Sequence, residues 1–119
     1  MMTEGEGRIV NISSIIASTG YSGLSVYAAT KASMLGFTRS LAREVGRLNV
    51  TVNAVAPGYM ETDMTQSMTA EQRDKIAGRS ALRRLAEVDD VANMVTFLMG
   101  DGGKNITGTV MTVDAGNTA

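Results

Sequence analysis

Three side chains that can handle a proton stand at informative spacings in this sequence. Tyr27 and Lys31 lie four residues apart in YAATK, and Ser14 lies thirteen residues before the tyrosine, at the end of an apolar run. Four residues on a helix bring two side chains onto one face. A cation so close to a phenol favours the phenolate form, so the phenol becomes a usable acid or base. A serine hydroxyl from a neighbouring strand could then hold the carbonyl oxygen that receives the proton.

A Tyr–Lys pair alone is a common feature of helix surfaces, so its meaning depends on the elements around it. Residues 8–12 (RIVNI) predict a short strand that is apolar enough to be covered on both faces. Residues 15–25 predict a loop, and residues 26–46 predict a long helix that ends at its last residue, a glycine. Residues 50–55 predict a second buried strand, which Pro57 stops because proline lacks an N–H.

The remainder of the sequence continues the alternation of strands and helices. Residues 69–77 predict a helix that begins with a capping box between Thr69 and Gln72. Residues 87–99 predict an amphipathic helix, and residues 109–113 predict the last strand. The inward face of the amphipathic helix is expected to carry Val88, Val91, Val95 and Leu98. Alternating strands and helices favour a parallel α/β layer architecture.

Three blocks of the sequence carry a family resemblance: GRIVNISS over 7–14, YAATKASMLGFTRSLAREV over 27–45, and VNAVAPGYMETDM over 52–64. In order and spacing they resemble the short-chain dehydrogenase/reductases, and most of all the 3-oxoacyl-[acyl-carrier-protein] reductase type. The resemblance implies a partial Rossmann-like α/β fold, the C-terminal half of a doubly wound parallel sheet with about three parallel strands and flanking helices. Residues 1–119 are then expected to form a single truncated domain.

The resemblance also assigns roles to the three chemical residues. In that family, hydride passes between NADP or NAD and a carbonyl carbon while a tyrosine hydroxyl moves the proton. Tyr27 would be this acid/base. Lys31 would activate Tyr27 and hold the ribose hydroxyls of the nicotinamide, and Ser14 would hydrogen-bond the substrate oxygen. The substrate is expected to be a small molecule or an acyl thioester.

Other polar and turn residues are expected either to contact the cofactor or to support the structure. Pro57, Gly58 and Thr62 match a segment that contacts the nicotinamide carboxamide in the family. Without the resemblance, Gly58 is equally well explained as a turn glycine. Ser13 is expected to be structural because alternation along a strand points it away from its neighbour's face. Asn53 is interpreted as a buried amide that ties its strand to adjacent loops, in preference to a ligand contact.

Several parts of the family's machinery have no counterpart in this sequence. Family members begin with a glycine-rich TGxxxGxG turn that cradles the dinucleotide pyrophosphate. The nearest stretch, TGYSGLS over 19–25, has Leu24 where the second glycine should be and precedes the Tyr–Lys helix. The family's helix asparagine is also missing. We therefore expect the isolated chain to be inactive or weakly active. Two alternatives are a non-catalytic oligomerisation or interaction module and one half of a two-chain reductase.

The amino-acid composition limits the kinds of partner that this chain is expected to bind. With 11 Lys and Arg against 12 Asp and Glu, the net charge is −1, so nothing favours nucleic acid. The sequence contains no cysteine or histidine, which removes disulfides and the usual zinc ligands, and no metal is expected. No apolar run approaches the ~20 residues of a membrane span, so a cytoplasmic protein is expected. Homo-oligomers are expected through the exposed edge of the strand at 8–12 and through the Tyr–Lys helix, which forms a dimer bundle in the family.

Overall fold

The fold is built on a small parallel sheet. The structure, a computed structural model, describes residues 5–60 and 68–119. The strands are β1 (Gly7–Ile12), β2 (Val50–Pro57) and β3 (Val110–Val113), in the order β1-β2-β3 and all parallel. The helices are α1 (Ile16–Thr19), α2 (Ser25–Val45), α3 (Ala70–Arg79) and α4 (Val88–Met99), with 3-10 turns at Gly46–Leu48 and Asp101–Gly103. The predicted parallel α/β architecture is confirmed.

The centre of the core is β2, because this strand pairs on both sides. Its register with β1 runs from Gly7 opposite Val50, and its register with β3 begins with Ala54 opposite Val110. Every residue of β2 before Pro57 is buried. Helices α2 and α4 both pack on β1 and β2.

A buried amide joins β2 to the loop before β3. The side chain of Asn53 is fully buried and donates from Nδ2 to the carbonyl of Ile106 at 2.8 Å. Its Oδ1 accepts from the amide of Thr109 at 3.1 Å and from the Thr109 hydroxyl at 2.7 Å. The predicted structural role of Asn53 is therefore confirmed, and the amide fixes where β3 begins.

Helix α2 ends where the sequence predicted, but the conformation of its capping glycine differs from the expected one. Gly46 has a right-handed backbone, φ −58°, and the chain continues into the 3-10 turn instead of stopping there. The left-handed residue that reverses the chain into β2 is Asn49, with φ 61°. Asparagine adopts this conformation more readily than other residues with a side chain. The predicted end of the helix is therefore confirmed to within one residue, and only the assignment of the left-handed cap to Gly46 was wrong.

Three smaller expectations can be compared with the structure. The stretch predicted as a loop over 15–25 contains the short helix α1. The capping box at the start of α3 is confirmed, since the Thr69 side chain accepts from the Gln72 amide and the Gln72 side chain accepts from the Thr69 amide. The inward placement of Val88 was wrong: it is the first helical residue of α4, in the capped turn, and is 50% exposed. Leu98 at the other end of α4 is fully buried, as predicted.

Candidate functional site

The carboxyl end of β1 meets the first turns of α2, and hydrogen bonds fix their relative position. Ser13 is buried and its hydroxyl donates to the backbone carbonyl of Lys31 at 2.9 Å. Further along the helix, Asn11 Nδ2 donates to the hydroxyl of the fully buried Thr38 at 3.0 Å. Ser13 therefore has the structural role that the alternation predicted. Thr38, which completes this attachment, was not predicted from the sequence.

Tyr27 and Lys31 lie on one face of α2, as their spacing predicts. The Lys31 ammonium is 5.7 Å from the centroid of the Tyr27 ring, within the range of a cation–π interaction. The same ammonium donates to the backbone carbonyl of Ile12 at 3.3 Å. Tyr27 is 44% exposed, so part of this residue is accessible to a ligand. An ammonium has three N–H donors, and those not used on Ile12 can serve a bound molecule.

Ser14 occupies the turn between β1 and α1. Its hydroxyl oxygen accepts from the amide of Ile16 at 3.2 Å, which leaves the hydroxyl hydrogen free to be donated. The next residue, Ile15, donates its amide to the carbonyl of Pro57 at 3.1 Å. Ser14 is therefore held at the carboxyl edge of the sheet, beside the strand end whose carbonyl binds Lys31. The structure thus brings Ser14, Tyr27 and Lys31 to one end of the molecule.

Pro57 and Gly58 form the turn at the end of β2. The Gly58 amide donates to the carbonyl of Val113 at 2.9 Å. A Cβ atom at Gly58 would lie 2.5 Å from the Cβ of Asp114 and 3.0 Å from its Cα, which is too close for any side chain. Packing against the end of β3 is therefore a sufficient reason for glycine at position 58, without any contact to a cofactor. Thr62, the third residue expected to contact a cofactor in this segment, lies outside the described residues.

Asp114 supports this turn and was missed by the sequence analysis. Its buried carboxylate accepts from the amides of Gly116 and Thr118, each at 2.9 Å, and from the Thr118 hydroxyl at 2.7 Å. Burial would raise the pKa of Asp114, but the hydrogen bonds from Thr118, Gly116 and Asn117 oppose it and together hold this pKa below its ordinary value of 3.8. An aspartate followed by Ala-Gly-Asn-Thr was the available signal.

Tyr59 is a second residue that the sequence analysis passed over. Burial and, to a smaller extent, the nearby phenol of Tyr21 raise the pKa of Tyr59 above its ordinary value of 10, while Arg79 opposes the shift. The Tyr59 phenol is therefore neutral near pH 7 and available as a hydrogen-bond donor. Its position directly after Pro57 and Gly58 was the only sequence signal for a role in this region.

These residues fit the nicotinamide end of a dinucleotide in part. Lys31 retains ammonium donors suited to sugar hydroxyls, and the exposed side chain of Tyr27 lies on the same helix face. The Gly58 amide is already used by Val113, so this residue could contact a carboxamide through its carbonyl or its lack of a side chain, but not through its N–H. Pro57 keeps one carbonyl lone pair beyond the bond to Ile15.

Two kinds of feature are absent from the part of the chain that the structure describes. Across residues 5–60 and 68–119, no three Asp, Glu, His or Cys side chains converge as metal ligands would. Across the same residues, no helix combines the length and the apolar character needed to cross a membrane.

The parallel sheet, with Ser14, Tyr27 and Lys31 at one end of it, indicates the class of protein to which the chain belongs. Residues 1–118 match the family described as enoyl-(acyl carrier protein) reductase. The chain belongs to the short-chain dehydrogenase/reductase family. It is 46% identical over 110 residues to the 3-oxoacyl-[acyl-carrier-protein] reductase FabG of Pseudomonas aeruginosa, and these residues are 92% of the chain and 44% of that protein. It is 43% identical over 116 residues to the Escherichia coli protein of the same name, covering 98% of the chain and 48% of that protein.

A solved structure shares the fold. A blue fluorescent protein from a metagenomic library, in complex with NADPH, superimposes with a TM-score of 0.86 and 40% sequence identity. The superposition covers 94% of this chain and 45% of that chain. This chain therefore spans about half the length of the relatives it matches.

Proposed function

We propose that Ser14, Tyr27 and Lys31 form the proton-transfer site of an NAD(P)-dependent carbonyl reductase that acts on 3-oxoacyl thioesters. The observation that carries the proposal is the Lys31 ammonium, 5.7 Å from the Tyr27 ring and bonded to the end of the strand that leads into Ser14. The likeness to FabG proteins supports the substrate class, and the likeness to a protein solved with NADPH supports the dinucleotide.

In the proposed reaction each side chain has a distinct task. Tyr27 donates its phenolic proton to the carbonyl oxygen of the substrate. Ser14 donates its free hydroxyl hydrogen to the same oxygen and stabilises the negative charge that develops there. The Lys31 ammonium stabilises the phenolate that remains after the proton has left. The nicotinamide, when bound, supplies the hydride to the carbonyl carbon.

The nicotinamide end of NADP or NAD is proposed to contact Tyr27, Lys31, Pro57, Gly58 and Thr62. Affinity from these residues alone is expected to be low, because the sequence has no glycine-rich turn that leads from a first strand into a helix and binds the pyrophosphate. A loss of several kcal/mol would place dinucleotide binding near or above a millimolar dissociation constant. We therefore propose that the 119 residues alone have little or no reductase activity.

The experiment compares the chain alone with a reconstituted pair. The chain is mixed with NADPH and an acetoacetyl thioester, with or without a separately produced polypeptide comprising the portion of the Pseudomonas aeruginosa relative that this chain does not match. We expect turnover of NADPH with the pair and little without it. Tyr27→Phe should abolish turnover, whereas the matched control Tyr21→Phe should retain it. Turnover that survives Tyr27→Phe would refute the assignment of Tyr27, and micromolar binding of NADPH by the chain alone would refute the weak-affinity proposal.

A second candidate function, self-association or pairing through exposed surfaces, is favoured by specific residues. Val26 is 79% exposed and Phe37 is 56% exposed, both on α2. Ile12, at the end of β1, is also exposed. In the described sheet β1 pairs only with β2, so its other side presents unpaired backbone groups. Exposed apolar side chains beside an open strand edge are typical of a surface that binds another chain.

The hydrogen bonding of β1 shows how this edge can be tested. The amide of Gly7 donates to Asn49 and the amide of Ser13 donates to Val55, so the odd-numbered residues of β1 point their backbone groups toward β2. The N–H of Val10 therefore points to the open edge. Proline at this position would remove an outward donor without removing a bond to β2.

Size-exclusion chromatography with light scattering gives the readout. If the edge mediates association, Val10→Pro should shift the wild-type oligomer toward monomer while circular dichroism stays native. Phe37→Glu should do the same if α2 contributes. A folded wild-type chain that is monomeric at micromolar concentration would refute the association, whatever the variants do.

A further inference from the structure

A cavity of about 340 Å³ lies at the end of α2 remote from the Tyr–Lys pair. Its lining residues are Arg39, Ala42, Arg43, Thr107 and Gly108. At 1.5 Å per residue, Arg39 is about 18 Å from Tyr27 along the helix axis, and the loop at Thr107 precedes β3 at the amino-terminal edge of the sheet. This cavity is therefore separate from the proposed reductase site.

The two arginines place positive charge in the cavity without compensation. Arg39 and Arg43 are one helical turn apart, which puts their side chains on the same face. Neither guanidinium has a hydrogen bond or ion pair with any residue in the ranges 5–60 and 68–119. Glu44 follows Arg43 directly, but adjacent helical residues point about 100° apart and do not face each other. Like charges at this spacing destabilise a helix, and a bound anion would remove that repulsion.

The other wall of the cavity provides a neutral donor and an apolar floor. The Thr107 hydroxyl oxygen accepts from the amide of Val52 at 3.0 Å, so its hydrogen is free to be donated. The Gly108 amide is used by the carbonyl of Val52 at 2.7 Å and is not available. Ala42, which also lines the cavity, is buried and contributes only a methyl group to its wall. Two exposed arginines and one threonine with a free hydroxyl hydrogen therefore line the cavity, and none of its lining residues is acidic.

We propose that this cavity binds a phosphate dianion, either inorganic phosphate or the phosphate of a small phosphomonoester. Guanidinium groups bind phosphate oxygens through paired N–H donors, and such charge-assisted bonds are stronger than neutral ones. Two arginines match the charge of a dianion. The cavity is larger than one phosphate group needs, which leaves room for the organic part of a monoester.

The test titrates the chain with sodium phosphate and, separately, with glycerol 3-phosphate, each against sodium chloride at equal ionic strength. Calorimetry gives the affinity, and the backbone amide shifts of Thr107 and Gly108 in NMR spectra give the location. We expect millimolar or tighter binding that Arg39→Gln and Arg43→Gln each weaken by about tenfold or more, from the usual strength of a charge-assisted bond. Arg47→Gln, on an exposed arginine that does not line the cavity, should bind as the wild type does.

The outcomes separate a built site from general attraction. Tighter binding of glycerol 3-phosphate than of phosphate would identify the monoester as the occupant, and equal binding would identify the phosphate group alone. Arg39→Lys should bind more weakly than wild type, because lysine keeps the charge but loses the paired donors. Effects no greater than those of chloride, or an equal loss in Arg47→Gln, would overturn the proposal. Tyr27→Phe should bind phosphate normally, so this result does not depend on the reductase proposal.

Discussion

Replacing Asn53 with alanine provides the most stringent test of how the end of the sheet is held. The substitution removes three hydrogen bonds from a fully buried position and leaves the carbonyl of Ile106 and the amide of Thr109 without their partner. A buried polar group left unsatisfied costs about 1–3 kcal/mol, while the Thr109 hydroxyl can rotate to another acceptor. Two such backbone groups and a small cavity give an expected loss of about 3–5 kcal/mol in the free energy of unfolding.

The assay is urea denaturation followed by circular dichroism, with Asn117→Ala as the matched control. Asn117 is half-buried and donates one side-chain hydrogen bond, to the Ser80 hydroxyl at 3.2 Å. Its loss should cost about 1 kcal/mol. Similar losses in the two variants would refute the view that Asn53 anchors the chain before β3.

A chain of 119 residues has a limited free energy of unfolding, and Asn53→Ala could prevent folding altogether. A second, milder variant therefore keeps the prediction testable. Asn53→Asp keeps the acceptor for Thr109 but places a carboxylate oxygen against the carbonyl of Ile106. At pH 7 it should remain less stable than wild type by about 2 kcal/mol or more, with faster hydrogen exchange at the Thr109 amide. Wild-type exchange at that amide would contradict the anchoring role.

Three further predictions concern other described residues. Gly58→Ala should lower the free energy of unfolding by about 1–3 kcal/mol, because the added methyl group clashes with Asp114. The control Gly36→Ala lies in the interior of α2, where a methyl group meets no neighbour, and should raise the free energy of unfolding by about 0.5–1 kcal/mol in the same urea titration. Because the pKa of Asp114 is lowered on folding, its contribution to stability is complete above the pKa of an unfolded aspartate, about 3.9, and is lost as pH falls through the folded value. Asp114→Asn should therefore flatten the acid limb of a thermal-midpoint profile, and an unchanged limb would contradict this. Thr69→Ala should cost about 0.5–2 kcal/mol by removing the cap on Gln72, while Thr69→Ser should cost little.

Regular patterns in the sequence predicted the architecture well. Runs of β-branched residues gave all three strands, and the helical periods gave α2, α3 and α4 to within a few residues. Period-2 alternation separated the structural Ser13 from Ser14, because that rule depends only on strand geometry. The spacing of Tyr27 and Lys31 predicted their shared face for the same reason.

Features that depend on contacts between distant residues could not be read in the same way. The requirement for glycine at position 58 comes from Asp114, which lies far along the chain. Thr38 is polar and sits on the inward face of α2, and its burial is explained only by Asn11 on the neighbouring strand. Val88 is apolar, yet its exposure follows from its place in the first, capped turn of α4.

The hydrogen bond between Lys31 and Ile12 links the open side of the sheet to the chemistry of the helix. Successive residues of β1 direct their backbone groups to alternate sides, so the carbonyl of Ile12 points away from β2. This carbonyl, which accepts from Lys31, is therefore also an acceptor for the N–H of an added strand. A strand added beside β1 would donate an N–H to this oxygen, and where that N–H displaces Lys31, the freed ammonium donor becomes available to a molecule bound near Tyr27. Binding of a strand at the edge of β1 would thereby change the hydrogen-bond donors available beside Tyr27 on α2, without any movement of the backbone between the two places.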